Sequence, residues 1–458
     1  MALGRRDPNS YFGRMTFLKK LFWLYFFLLI LEGALRKWVA PQFSAPLLIV
    51  RDPVAIWIIW QAYRTHKWPH RWSAVMSILT VLLVGLFVLQ IVAGNNPFIV
   101  GLFGLRSYLL PFPVMFIMAE NLDEEDLRKL GACTLWLLLP MTLLVLAQYE
   151  APGGSFLNRG AYEGGSQLGY TGGHVRPSGT FSFSIGVVHF VTLAGAFILY
   201  GMVREEFVKR WVLWASAFAL ILSVPAAGAR TLLGQLAAVI GCVVIGAFMG
   251  VSQFGKVLRV IVPVAILAFL AALLPVFSDA MHSMAERFSG ANTAEGGSAQ
   301  SALYYRTVQP AVNAIEKAVE SNNWLGIGMG RGAVAVQALL HGTTEAEAGE
   351  DEFSREFVEM GPIGGMAFEL FKMFLAIAML GSVLAKMREH ETLALLMLPL
   401  AISTLLLGVP EQTTVQGFMV ISVAFCLAAA KVPERVAEQV PLVLQRQQPL
   451  YRFRVQRR

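Results

Sequence analysis

Charge is what this sequence has least of: Asp, Glu, Lys and Arg together make up 15% of its 458 residues, against about a quarter in ordinary soluble domains. Hydrophobic residues make up 56% and the mean hydropathy is positive. That balance excludes a water-soluble globule, and with 31 Phe it excludes a disordered chain. Cysteine is scarce as well. The three present, Cys133, Cys242 and Cys426, each sit inside an apolar run, and none has the spacing of a zinc knuckle or a disulfide framework. Histidine is also sparse. His66 and His70 would have metal-ligand spacing on a helix, but Pro69 interrupts it in a basic loop. Neither a metal nor a cofactor is expected. The sequence likewise lacks a P-loop, a nucleophile elbow, a Ser-His-Asp order and a paired-carboxylate hydrolase spacing.

What the chain does have is apolar length. One crossing of a hydrocarbon core of about 30 Å takes about 20 apolar residues as helix. Apolar runs bounded by charges or by Pro/Gly clusters predict twelve spans, centred near Phe27, Ile58, Leu82, Leu109, Leu138, Leu193, Phe218, Ile240, Ala268, Ala376, Leu398 and Val420. The runs are too long and too uniformly apolar for barrel strands, so the expected fold is an all-α polytopic bundle. The second span is the weakest, being short and opening with Arg51-Asp52-Pro53. Basic residues concentrate in alternate loops, with roughly two-thirds of the 37 on the side of the amino terminus. The net charge of +7 therefore reads as orientation in a membrane, not as nucleic-acid binding. Both termini are expected in the cytoplasm. The first apolar run is followed by Glu32 and Arg36-Lys37-Trp38, not by a small-residue cleavage site, and predicts a signal anchor.

This gives a division into 1–149 (spans one to five), 150–179 (a first periplasmic loop), 180–277 (spans six to nine), 278–361 (a large, net acidic periplasmic loop subdomain), 362–430 (spans ten to twelve) and 431–458 (a basic cytoplasmic tail). The large loop has helical patterning of its own from Tyr304 to Ala318.

Ionisable residues at membrane depth or at its outer rim carry the functional information, because burying a charge costs several kcal/mol unless it is paired or hydrated. Arg106 sits mid-way along the fourth run with no acid within a helical turn, so its partner must come from elsewhere. Arg176 precedes the sixth span and Arg230 lies in an outer turn, where positive charge is disfavoured. With Arg306 of the large loop they offer three guanidiniums at one membrane surface, the side chain suited to bidentate binding of diphosphate oxygens. Arg36 and Lys37 read as snorkelling anchors, Glu32 offering Arg36 a pair. In Glu350–Gly364, residues Glu352, Arg355, Glu356 and Glu359 fall on one helical face. That face is either solvated or a source of a general base. Glycines 326, 328, 330 and 332 suit a phosphate cradle no better than a loop where a helix ends.

Three elements in this order resemble the O-antigen ligase and polysaccharide polymerase superfamily, and an amino-terminal segment resembles its exopolysaccharide-polymerase branch more than lipopolysaccharide ligases. The three are Arg176-Pro177-Ser178-Gly179-Thr180-Phe181, Gly228-Ala229-Arg230-Thr231, and Tyr305-Arg306 through Trp324-Leu325-Gly326-Ile327-Gly328-Met329-Gly330. The matching stretch runs from about Arg176 to Gly365. Glu32-Gly33-Ala34-Leu35-Arg36-Lys37-Trp38 with Arg51-Asp52-Pro53 adds the polymerase flavour. Ligases carry a His-Asn pair ahead of Glu-x-Gly-x-x-Gly; here Glu359-x-Gly361-x-x-Gly364 is present and Glu350 stands at the histidine position.

The resemblance implies a glycosyltransferase bundle of the GT-C-like kind. It implies an inverting, metal-independent enzyme of the bacterial inner membrane, acting at the periplasmic face on polyprenyl-diphosphate-linked oligosaccharide donor and acceptor. Arg176, Arg230 and Arg306 would hold the diphosphate; Glu350, Glu352 or Glu359 would be the base, with Arg355, His341 and Arg106 in support. Export or chain-length-control proteins are the implied partners. An O-antigen ligase passing glycan to a lipid or protein acceptor is the alternative within the class. A twelve-span transporter of polysaccharide or lipid-linked sugar is the alternative outside it.

Overall fold

In the computed structural model, the residues described are 11, 15–161, 174–204, 207–248, 261–294, 304, 309–320, 323–332, 352–387, 392–408 and 411–431. Among them the regular structure is helical throughout. The long helices are α1 (Phe17–Ala34), α2 (Asp52–Arg64), α3 (Ser73–Val92), α4 (Phe98–Leu109), α5 (Pro111–Asn121), α6 (Glu124–Glu150), α7 (Ser184–Val203) and α8 (Arg210–Ala227). They continue as α9 (Arg230–Phe248), α10 (Ile261–Ala272), α11 (Pro275–Ala294), α12 (Gln309–Glu320), α13 (Glu352–Met387), α14 (Leu393–Leu406) and α15 (Thr413–Ala429).

Every one of the twelve apolar centres falls inside one of these helices. Eight helical stretches are long and apolar enough to cross a membrane, and a ninth crossing is available if the pair Pro263–Ala272 and Pro275–Glu286, bent by 92°, counts as one. The chain is therefore a multi-pass α-helical membrane protein. The short second run gains length from helical turns that precede it, giving a continuous stretch from Pro41 to Arg64. Its core helix opens at Asp52 with Pro53 in the first turn, where a missing N–H removes no helical bond. Large apolar side chains of α3, α9 and α13 remain exposed, as for helices at a lipid-facing perimeter. Helices α7 and α15 are buried on nearly every face. Helices apolar all round take the centre of a bundle, and α15 packs there against α14, α5 and α7.

α13 is broken. Gly361 has φ +73° and ψ 172°, outside the helical region. Pro362 follows and has no N–H to give the Val358 carbonyl. The break folds the chain back on itself. Lys372 Nζ lies 2.7 Å from Glu356 Oε1 although sixteen residues separate them, a span of about 24 Å along an unbroken helix. The carbonyls freed at the break are used by the glycine-rich segment: Ile327 N donates to Val358 O at 2.9 Å and Gly328 N to Glu359 O at 3.2 Å. Gly326 and Gly361 meet there, both at positive φ, and a Cβ on Gly361 would stand 2.3 Å from Trp324 O. Those glycines are packing requirements of a docked turn.

Candidate active site: a polar layer at one end of the bundle

The helix ends that meet at one end of the bundle carry an unusual load of buried charge. Glu32, at the close of α1, is the hub. Its Oε2 is 3.1 Å from Arg51 Nε, its Oε1 is 3.6 Å from Arg36 Nη1, and it accepts from Thr413 Oγ1 at 3.2 Å. Arg51 also donates to the Thr413 carbonyl and lies 5.5 Å from the Tyr25 ring. The side chain that closes α1 thus holds the first turns of α2 and α15.

Arg36 and Lys37 are not the snorkelling anchors expected of them. They are 1% and 0% exposed, because a π-helical turn over Leu35–Val39 swings them inward. Arg36 donates to the Ser44 carbonyl at 2.9 Å and to Ser182 Oγ at 2.8 Å. Lys37 donates to Ser178 Oγ at 2.8 Å and to the Gly179 carbonyl at 2.6 Å. The approach depends on Gly33, where a Cβ would stand 2.2 Å from the Phe181 carbonyl carbon. The amino-terminal Glu32–Trp38 segment and the Ser178–Ser182 segment are therefore one docked unit, a coupling across some 140 residues of sequence.

Arg106 finds its partner in Asp52, the first residue of α2, and adds a bond to Ser107 Oγ at 2.9 Å. Arg355, Glu356 and Glu359 at the α13 opening do not serve a solvated face. Glu356 and Glu359 are both fully buried and are used differently. Glu356 meets Lys372, which also reaches Glu369 at 3.1 Å. Arg355 pairs with Glu411 at 3.2 Å and donates to the Gly332 carbonyl at 3.3 Å. Glu359 accepts from Gly330 N at 2.9 Å, Gly332 N at 2.6 Å and Tyr108 Oη at 3.1 Å. Gln90 completes the clamp, donating to the carbonyls of Leu325 and Glu359 and accepting from Met329 N at 3.0 Å. Glu359 thus anchors the glycine-rich turn through both carboxylate oxygens.

Glu411, in the connection between α14 and α15, faces Glu359 as well as Arg355. Burial pushes its carboxyl above the ordinary value of 4.5, with Arg355, a hydrogen bond with Glu359 and then Arg106 opposing that shift. The connected set is Arg36, Glu32, Arg51, Asp52, Arg106, Glu411, Arg355 and Glu359.

Of the proposed diphosphate ligands, Arg176 lies half-buried in an extended segment and Arg230 opens α9. Helix α11 brings their surroundings together. Arg230 stands 5.6 Å from the Phe288 ring of α11, while Ser283 of the same helix receives a bond from Tyr149 Oη, and Tyr149 stacks on His174 next to Arg176. A cation on the first turn of a helix is disfavoured by the helix dipole, which an anion bound there would reverse. Arg306, His341 and Glu350 lie outside the described residues, and of Glu352 only the backbone, at the opening of α13, is described.

No protein-family profile and no curated protein matches this chain. The site therefore rests on its own geometry. Sequence reasoning missed Glu411, although a lone acid in the turn between the last two apolar runs was a visible signal. It also missed the hub role of Glu32, whose partner Thr413 is 381 residues away. Among the described residues, no cluster of His, Cys, Asp or Glu has the arrangement to hold a metal ion.

Proposed function

We propose that this chain is an inner-membrane glycosyltransferase that polymerises polyprenyl-diphosphate-linked oligosaccharide repeat units into a surface polysaccharide or exopolysaccharide. The twelve apolar runs would each cross the membrane, with both termini cytoplasmic and the polar layer at the periplasmic face. The reading is supported by one observation above the others. Arg230 stands against Phe288 of α11, and His174, two residues before Arg176, stacks on Tyr149, whose hydroxyl bonds Ser283 of the same helix.

The acceptor hydroxyl attacks the anomeric carbon of the donor glycan while the lipid diphosphate departs from the opposite side, inverting the centre. Arg176 and Arg230, with Arg306 in support, stabilise the charge that grows on the diphosphate, the role for which preorganised cations are most effective. A base at the same end takes the hydroxyl proton. A carrier of lipid-linked sugar is the competing reading, favoured by the Glu356–Lys372–Glu369 cluster buried within α13.

The test is purified protein in detergent with polyprenyl-diphosphate-linked oligosaccharide and EDTA, products being resolved on a gel. A ladder of longer glycans with released polyprenyl diphosphate is the expected result. Glycan moved whole onto a lipid or protein acceptor would make it a ligase. No turnover, with movement of the lipid across a proteoliposome bilayer, would make it a carrier. Arg230→Glu should abolish the ladder while the protein stays in the membrane; polymer of normal length in that variant would remove Arg230 from the site.

A further inference from the structure

The transferase reading needs a proton acceptor for the sugar hydroxyl, and Glu359 and Glu411, the carboxylates of the polar layer nearest the glycine-rich turn, are already engaged. Glu359 takes three donors on its two oxygens, and Glu411 is held by Arg355. A different side chain has the required chemistry. His174 stacks on Tyr149, with ring centroids 4.1 Å apart and planes 8° from parallel. Its Nδ1 lies 2.9 Å from the Tyr149 carbonyl oxygen. A carbonyl can only accept, so Nδ1 carries the hydrogen, and in the neutral ring the lone pair is on Nε2. Nε2 has no hydrogen-bond partner among the described residues, and the ring is half-buried.

The rest of the geometry holds that imidazole in place. Tyr149 is fully buried and its hydroxyl donates to Ser283 Oγ at 3.0 Å, so the stacking platform is fixed at both ends. Val175 forms an isolated β-bridge and is buried. Side chains alternate across an extended segment, so His174 and Arg176 share the face opposite Val175. The imidazole is therefore side by side with a proposed diphosphate ligand, and its platform is tied to the helix that meets Arg230.

Resting on the transferase reading, we propose that His174 Nε2 accepts the proton of the attacking sugar hydroxyl. The hydroxyl oxygen forms a bond to the anomeric carbon, and the bond from that carbon to the diphosphate oxygen breaks. Its electron pair leaves with the diphosphate, and the hydroxyl proton moves to Nε2, making an imidazolium. The Tyr149 carbonyl bonded to Nδ1–H stabilises that cation. Release of the proton to water restores the neutral ring for the next addition.

The test uses the full-length protein and the same polyprenyl-diphosphate-linked oligosaccharide, with wild type run in parallel. His174→Asn keeps a donor near the Nδ1 position and removes Nε2. Transfer should fall by roughly 100-fold or more, the range of general-base catalysis, while donor binding and the detergent melting temperature stay at wild-type values. His174→Ala should regain transfer on addition of imidazole, in proportion to the free base. Near-wild-type transfer by His174→Asn overturns the proposal, and so does loss of transfer in both variants without imidazole rescue, which would make the ring a structural platform. A wild type that forms no ladder and releases no diphosphate instead defeats the transferase reading itself.

Discussion

Replacing Glu359 by Gln separates two roles that a simple loss of activity would confuse. The carboxylate receives Gly332 N on Oε1 at 2.6 Å, and Gly330 N with Tyr108 Oη on Oε2 at 2.9 and 3.1 Å. Glutamine has one acceptor oxygen and one NH2 group, so in either orientation an amide donor faces a backbone donor. Tyr108 can turn its hydroxyl, but the two glycine N–H groups are fixed by the turn. One hydrogen bond is lost and a buried N–H is left unpaired, which together cost about 2–4 kcal/mol. At 1.4 kcal/mol per tenfold, amide exchange across the 323–332 turn should accelerate roughly 30- to 700-fold. Hydrogen–deuterium exchange with mass spectrometry on detergent-purified protein reads this directly. If Glu359 were a proton acceptor and nothing more, E359Q would lose activity with exchange of the turn unchanged. That outcome would refute the anchoring argument.

Glu32→Ala should leave Arg36 and Arg51 buried without their carboxylate, a loss of about 3–5 kcal/mol; thermal denaturation in detergent should show a large fall in melting temperature, and a shift of less than about 2 °C would contradict the hub. Glu411 gives a pH signature. Its folded-state pKa is raised, chiefly by burial, so its contribution to stability is present below the ordinary value of 4.5 and is lost as pH rises through the folded value. Glu411→Gln cannot titrate there. The melting temperature of wild type relative to E411Q should therefore decline as pH is taken from about 4 to 7, and a flat or rising difference would show that Arg355 outweighs burial.

The spans were legible because burial in lipid forces a simple signal. Each helix must satisfy its backbone internally and present apolar side chains over its whole length, so runs such as those centred on Leu138 and Leu193, both inside stretches long enough to cross, are plain in the sequence. Break points were partly legible: Gly361-Pro362 lies where the tenth span was expected to begin, but nothing local says that the preceding turn and a half folds back until Glu356 reaches Lys372. The site was the least legible. Arg36 and Lys37 sit at a helix end in a run that fits lipid anchors equally well, and their burial depends on Gly33 approaching Phe181, nearly 150 residues away. Charge partners such as Arg106 with Asp52 or Arg355 with Glu411 are tertiary facts, fixed by which helix ends meet. Periodicity places a residue on a face; it does not say what that face meets.

The two ends of the bundle treat charge differently, and the difference bears on where function lies. At the end away from the polar layer, Lys19 pairs with the buried Asp126, but it also pairs with Asp123, and Lys431 pairs with Glu120, and Asp123, Glu120 and Lys431 are each more than a quarter exposed. Exposed ion pairs contribute little, about 0–1 kcal/mol, and are an ordinary way of ending helices in water. At the polar layer, Glu32, Arg36, Arg51, Glu359 and Glu411 are each less than a tenth exposed. Buried pairs rarely improve on well-packed apolar residues of the same size, so stability alone gives no reason for five such side chains at one end. Their arrangement does another thing: it fixes the Ser178–Ser182 segment, the glycine-rich turn and the starts of α2 and α15 relative to one another, and the Ser178–Ser182 segment continues directly from Arg176. A reaction that must hold a diphosphate against an incoming hydroxyl needs that rigidity, since small misplacements of reacting groups cost large factors in rate. In the proposed transferase, the charged layer would be the frame of the site, and His174, Arg176 and Arg230 are the groups proposed to touch substrate.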